Sequence, residues 1–354
     1  AEPSLFPGPK TRPDLMGHRN DNIGRLSMRR TLVAATLAMA AALALPMAQA
    51  QTEIRISTAA PDNSPLSDAF RMIKARMEAK FPGAVKVTVH TASSLFRQGT
   101  ELPAMQRGNL EMASPVTFEI EAQLPEYGVF SGAYLFRDAD HLIKTFRSDI
   151  GREYYADVAS KMGLVILDTA YLGTRTINLS NDKKIEKPSD LAGTKMRMPP
   201  GAAFQGLAKA LGATPVSMPI TEVYLALKTG AIDAQDNPTN MTRDWKFHEV
   251  TKQVVLTRHL VQPVFIAMAK PAFDKLTPAQ QTELRAAARE AADMQIAKTL
   301  QDEKSAIDTF RAANIRISEP DPASFRAAVL KEYEGSGMTA KWKPGLLARV
   351  QAVK

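Results

Sequence analysis

The chain has 354 residues, with 45 Lys and Arg against 37 Asp and Glu, no cysteine, 45% hydrophobic content and 6% aromatic content. At about 150 residues per domain this is room for two globular domains with their own cores, which excludes a small stapled module and a disordered chain. The absence of cysteine removes disulfides, thiolate metal sites and cysteine nucleophiles together. Of the net charge of +8, six basic and three acidic residues fall in the first 50 positions, leaving 39 against 34 beyond them, too mild and interspersed a surplus for a nucleic-acid stripe.

Met28-Arg29-Arg30 opens an apolar run rich in Ala and Leu, broken at Pro46 and followed by Ala48-Gln49-Ala50. A charged start, a short apolar stretch and small residues at −3 and −1 predict a secretory signal peptide over 28–50, cut between Ala50 and Gln51. The run falls short of the roughly 20 residues that span a bilayer. Residues 1–27 carry Pro, Gly, Arg and Asn without apolar periodicity and are expected to be a mis-called upstream start or a translated leader, outside the fold. The mature chain is therefore expected to be exported and soluble.

Ile54 and Ile56 alternate with polar neighbours as a first strand, and Ser64-Pro65 supplies a helix cap and a proline at the first helical position. Leu66, Phe70, Ile73 and Met77 then share one helical face, and Val85, Val87 and Val89 alternate as the next strand. The same grammar predicts helices near 102–106, 138–147 and 203–211 and strands near 110–113 and 164–168. Thr221 is expected to cap a helix over 222–228 that Gly230 stops, with a short strand over 231–235. Thr277-Pro278 opens a polar, Ala-rich helix reaching about 314, with Leu284, Ala288, Ala291, Leu300 and Ile307 toward one side. Alternating strands and helices argue for two α/β domains, and a helix that long either breaks or spans both.

No Gly-rich phosphate loop, Gly-x-Ser-x-Gly elbow or His-Glu-x-x-His pair occurs. His90, His141, His248 and His259 have no partner at metal-ligand spacing and read as surface or structural residues. Gly173-Thr174-Arg175 follows the segment 164–171 and places an arginine just past a strand end, where open α/β sheets bind ligands. In Lys195-Met196-Arg197-Met198-Pro199, methionines facing a core would turn Lys195 and Arg197 the other way, and on its own this pattern reads as a solvated strand.

Five segments together resemble the solute-binding receptors of tripartite ATP-independent periplasmic (TRAP) transporters, of the dicarboxylate-receptor type. They are Gly173-Thr174-Arg175, the run from Pro188 to Pro199 containing Lys195-Met196-Arg197-Met198, Leu211-Gly212-Ala213-Thr214-Pro215-Val216, Glu222-Val223-Tyr224-Leu225-Ala226-Leu227-Lys228-Thr229-Gly230, and Asp233-Ala234-Gln235-Asp236-Asn237-Pro238. The resemblance implies a two-lobed periplasmic-binding-protein fold with crossing strands and a long bracing helix, lobe I being 51–172 with 263–302 and lobe II 173–262 with 303–354. It implies that Arg197 holds a ligand carboxylate as a bidentate pair, that Arg175 is a second cationic contact, and that Asn237 orients the ligand. It further implies a monomeric periplasmic receptor, without cofactor or metal, that hands a small carboxylate ligand to one small and one large membrane subunit.

The chain departs from the family at Ala234 and Asp236, where Gly and Glu are common, and at Ser93-Ser94-Leu95-Phe96-Arg97-Gln98-Gly99, where Phe96 or Arg97 is expected at the rim. Ile220 replaces a stacking aromatic of some sialic-acid receptors, which weakens a sialic acid reading. The stretch 114–119 is where the first lobe would offer contacts, and Trp245 and Phe247 are candidates for either cleft or core. An exported two-lobe enzyme remains the alternative, although arginines and an amide are poor general bases. A binding protein serving a sensor kinase is a further one.

Overall fold

The computed structural model describes residues 51–354, so the leader and signal peptide expected over 1–50 lie outside the described residues. β1 (Thr52–Ser57) leads through α1 (Pro65–Lys80) to β2 (Val85–His90), and the strands pair in parallel with Ile54 opposite Val87. Ser64 Oγ accepts the Ser67 amide at 3.2 Å, and Leu66, Phe70, Ile73 and Met77 are buried as their spacing predicts. α2 (Glu101–Gln106), β3 (Met112–Ala113), α3 (Thr117–Glu121) and α4 (Ala139–Phe146) follow, β3 being shorter than expected. α5 (Asp149–Met162) is additional to the expected elements.

Three sequence expectations are corrected in the middle of the chain. β4 (Leu164–Leu179) continues well past 168, so Arg175 lies inside a strand rather than beyond its end. After β5 (Lys195–Met198), α6 (Ala202–Ala210) and β6 (Thr214–Ser217), α7 (Ile220–Thr229) begins at Ile220 with Pro219 in the cap position, which puts Thr221 in the first turn. β7 occupies Ala234–Pro238 instead of 231–235, because Ile232 is drawn into the core and Asp233 Oδ2 takes the Lys195 amide before the strand starts.

α8 (Thr239–Asp244) precedes β8 (Gln253–Ala269), which lies antiparallel to β4. α9 (Lys270–Asp274), α10 (Pro278–Ala312), β9 (Arg316–Ser318), α11 (Pro322–Gly335) and α12 (Leu346–Ala352) complete the described chain. The strand order is β2-β1-β3-β8-β4-β7-β5-β6, with β9 on β8. Two sets of parallel strands, one around β1 and one around β5, are thus joined by the long antiparallel pair β4 and β8.

α10 is unbroken over its 35 residues and, at 1.5 Å per residue, runs about 52 Å. Thr277 Oγ1 accepts the Gln280 amide while Gln280 Oε1 accepts the Thr277 amide, a reciprocal cap. Leu284, Ala288 and Ala291 are buried as expected, whereas Leu300 faces outward. One end of α10 is tied to α1 through Arg76 and Glu283, and the other to α8 through Arg243 and Asp302.

The β4–β8 register shifts between Tyr171 and Gly173, opposite Pro263 and Gln262. Such a bulge releases backbone groups from the ladder. Gln295 of α10 takes both groups of Tyr171, its Oε1 accepting the amide at 3.1 Å and its Nε2 donating to the carbonyl at 2.8 Å. Glu303 accepts the Thr174 amide at 2.6 Å. Gly173 has φ +133°, and a Cβ there would stand 2.4 Å from Cβ of Pro238, so glycine is required at this step. Gln295→Leu strands two buried backbone groups and is expected to lower unfolding free energy by about 2 kcal/mol or more, measured by denaturant titration.

Candidate ligand-binding site

Arg175, Arg197 and Asn237 all lie in the interior, each with no more than 2% of its surface exposed. Met196 and Met198 enter the core on one face of β5, which sends Lys195 and Arg197 to the other. Lys195 reaches solvent and Arg197 does not, so the solvated-strand reading of Arg197 fails.

The two arginines are differently engaged. Arg175 Nε donates to Asp236 Oδ2 at 2.7 Å and its Nη2 to Asp236 Oδ1 at 2.8 Å, a bidentate pair across β4 and β7. Its Nη2 also donates to the Asp236 carbonyl, and its Nη1 to Gln262 Oε1 at 2.8 Å. Four of the five guanidinium hydrogens are thereby used. The departure from the family pattern at Asp236 is therefore the counter-ion of Arg175, and Arg175 holds Asp236 far below the usual carboxylate range. His259 Nε2 stands 3.3 Å from Asp236 Oδ2, and burial pushes its pKa down, so the imidazole is neutral beside a pair that already cancels. Asn237 Nδ2 donates to Gln235 Oε1 at 2.6 Å.

Arg197 has no carboxylate partner. Its Nε donates to the Met218 carbonyl at 2.9 Å, its Nη2 donates to Gln98 Oε1 at 3.1 Å, and its Nη1 is buried without a partner. Burial first, and the Arg175 charge second, push Arg197 below its ordinary value, although a guanidinium stays charged at neutral pH. Gln98 Oε1 also accepts the Ile220 amide at 2.8 Å, one of the free first-turn donors of α7. Arg197 and the start of α7 thus converge on a single oxygen, and that oxygen comes from the loop after β2 on the far side of the sheet.

Gln98 and Ile220 form one wall of a cavity of about 70 Å³, whose other walls include Thr58, Glu101, Ser114 and Glu119. Gln98 and Glu119 fall in the stretches 93–99 and 114–119 that the sequence placed at the rim and in the first lobe's contact region, without being singled out there, whereas Glu101 was not anticipated. Arg97 of the same loop pairs with Glu222 on α7, a bond across the rim. Phe247 is core beside Ile220 and Val223, and Trp245 stacks on it at 6.3 Å.

Burial lifts Glu101 to about 7, and burial together with the Glu101 charge lifts Glu119 to about 8. The folded protein therefore keeps protons that the unfolded chain, with glutamates near 4.3, has released. Stability is expected to fall as pH rises from about 5 to 8, and Glu101→Gln with Glu119→Gln should flatten that slope in pH-dependent denaturant titrations. Asp236→Asn leaves the Arg175 charge buried without its partner and should destabilise the fold by about 3–5 kcal/mol in the same assay.

The family model described as bacterial extracellular solute-binding protein, family 7, matches residues 56–337. A TRAP periplasmic solute-binding protein from Roseobacter denitrificans, solved with bound 3-deoxy-D-manno-oct-2-ulosonic acid, is 36% identical with a TM-score of 0.82, covering 86% of this chain and 100% of that one. A TRAP receptor from Sulfurospirillum deleyianum with bound succinate is 27% identical with a TM-score of 0.79, covering 85% and 99%. The sialic acid-binding periplasmic protein SiaP of Vibrio cholerae is 26% identical over 305 residues, 86% of this chain and 94% of its own. The two-lobed fold, the match over most of the described chain and the solute-binding receptors among its relatives lead to one assignment: the chain belongs to the family 7 extracellular solute-binding proteins, the TRAP periplasmic receptors that bind small organic acids and work with membrane transporter subunits.

Proposed function

We propose that this protein captures an organic acid anion by clamping its carboxylate on Arg197 as two lobes close, and then delivers it to one small and one large membrane subunit. The observation that carries the reading is the convergence of Arg197 Nη2 and the Ile220 amide on one oxygen, beside a buried Nη1 that has no partner. A carboxylate in that position gives Arg197 a planar, charge-assisted pair, each such bond contributing about 1.5–3 kcal/mol. Arg175 acts at one remove. Neutralised by Asp236, it keeps one Nη1 hydrogen for a ligand oxygen and raises the demand of Arg197 for an anion. Asn237 belongs to the same layer and orients the ligand through its neighbour Gln235.

The lobes in this reading are 51–172 with 263–302 and 173–262 with 303–354. Support comes from the register shift that falls between Tyr171 and Gly173, and from α10, whose ion pairs change from α1 to α8 toward Asp302. The receptor acts as a monomer in the periplasm after its signal peptide, residues 28–50, is cut between Ala50 and Gln51.

The test is thermal unfolding of the exported protein, stripped of carried-over ligand, against a panel of organic acids. A true ligand at a hundredfold excess over its dissociation constant adds about 2.7 kcal/mol. Arg197→Lys should weaken binding about tenfold or more by calorimetry, because an ammonium lacks the planar donor fork. Unchanged affinity in that folded variant refutes the clamp.

A further inference from the structure

The family leaves the ligand class open, since its solved members hold both a hydroxylated sugar acid and a plain diacid. We infer that Glu101 and Glu119 are the specificity-determining residues of the cleft and select a hydroxylated monocarboxylate, a ligand of the sugar-acid class, over a dicarboxylate. The inference rests on the Arg197 reading above.

Placement comes first. Arg197 does not itself line the cavity, but its partner Gln98 does, together with Glu101 and Glu119, so an acid that displaces Gln98 from Arg197 extends its carbon chain toward those two carboxyls. Each carboxyl is anchored by backbone: the Gly99 amide donates to Glu101 Oε2 and the Val116 amide to Glu119 Oε2, both at 2.9 Å, and for Glu119 this leaves the second oxygen for another partner. The cavity admits only a few waters, so an acid of several carbons enters with the lobes apart and meets these groups as they close.

Charge decides the class. Arg175 and Asp236 cancel, His259 is neutral, and among the described residues Arg197, with its unpartnered Nη1, is the cation without a carboxylate that bonds Gln98. One ligand carboxylate satisfies it. A second carboxylate would lie beside Glu101 and Glu119, where even one carboxyl charge already raises the pKa of the other. A hydroxyl has no such conflict, because it donates to an ionised carboxyl and accepts from a protonated one. Thr58 and Ser114 bond each other at 2.8 Å and Leu66, Leu102 and Val264 add apolar wall, so an unmatched charge there finds little compensation.

The experiment is calorimetry at pH 7.5 on ligand-stripped protein with acids matched in chain length. The pairs are D-erythronate against succinate, D-gluconate against adipate, and 3-deoxy-D-manno-oct-2-ulosonate against suberate. At least one hydroxylated acid should bind about a hundredfold more tightly than its diacid. In the variant carrying Glu101→Gln and Glu119→Gln, which keeps size and removes charge, that ratio should shrink about tenfold or more, mainly through tighter diacid binding. A diacid that binds the unaltered protein as tightly as its partner, or a ratio unchanged in a variant that melts cooperatively, overturns the inference. The Arg197 reading still stands in that case if Arg197→Ala abolishes binding. Binding of none of the six acids overturns both.

Discussion

The Arg175–Asp236 ion pair is the constraint on which the rest of the site depends. Two guanidinium groups buried close together repel each other, and neither would be tolerated in the interior without compensation. Asp236 supplies that compensation to one of them through two parallel bonds between neighbouring strands, and Gln262 and the Asp236 carbonyl complete its shell. The other, Arg197, is left with carbonyl and amide oxygens and one idle nitrogen. A fixed cation without an anion is what a carboxylate receptor needs, and the fold creates it by neutralising the neighbour rather than by adding charge.

The architecture holds this arrangement where two bodies meet. β4 and β8 pass from one body to the other, and the change of register at Tyr171 and Gly173 would leave polar backbone groups stranded in the interior. α10 answers with Gln295 and Glu303, so the helix that braces the two halves is also the partner of the crossing strand. Arg175 lies two residues beyond Gly173 on β4, and its position is therefore set by the same bulge, the same glycine and the same helix.

Much of this was legible in the sequence. Local patterns located β1, α1, β2, β5 and the caps of α10, because alternation and Ser-Pro or Thr-Pro steps reflect short-range physics. α5 was not read from the sequence, although Ser148 at its start, Gly163 at its end and Ile150, Tyr154, Val158 and Met162 at four-residue spacing carry its signal. β8 was not, since Pro263 reads as a strand breaker until it is seen opposite a bulge. Arg197, Arg175 and Asn237 emerged through the family resemblance rather than through periodicity. Gln98 and Glu119 lay in stretches marked for the rim and the first lobe but were not singled out, and Glu101 stayed hidden, because their meaning depends on which residues from distant segments face them. Asp236 stood out only as a departure, and its role as counter-ion is a fact of three dimensions.

Gln98 carries one further consequence. Its side-chain oxygen holds Arg197 Nη2 and the Ile220 amide, the two donors that the proposed clamp assigns to a ligand oxygen, so in that proposal the protein contains its own competitor. The apparent dissociation constant then exceeds the intrinsic one in proportion to the time that Gln98 occupies those donors. In that proposal the concentration at which the receptor fills can drift over evolution through a loop side chain, while Arg197 stays as it is.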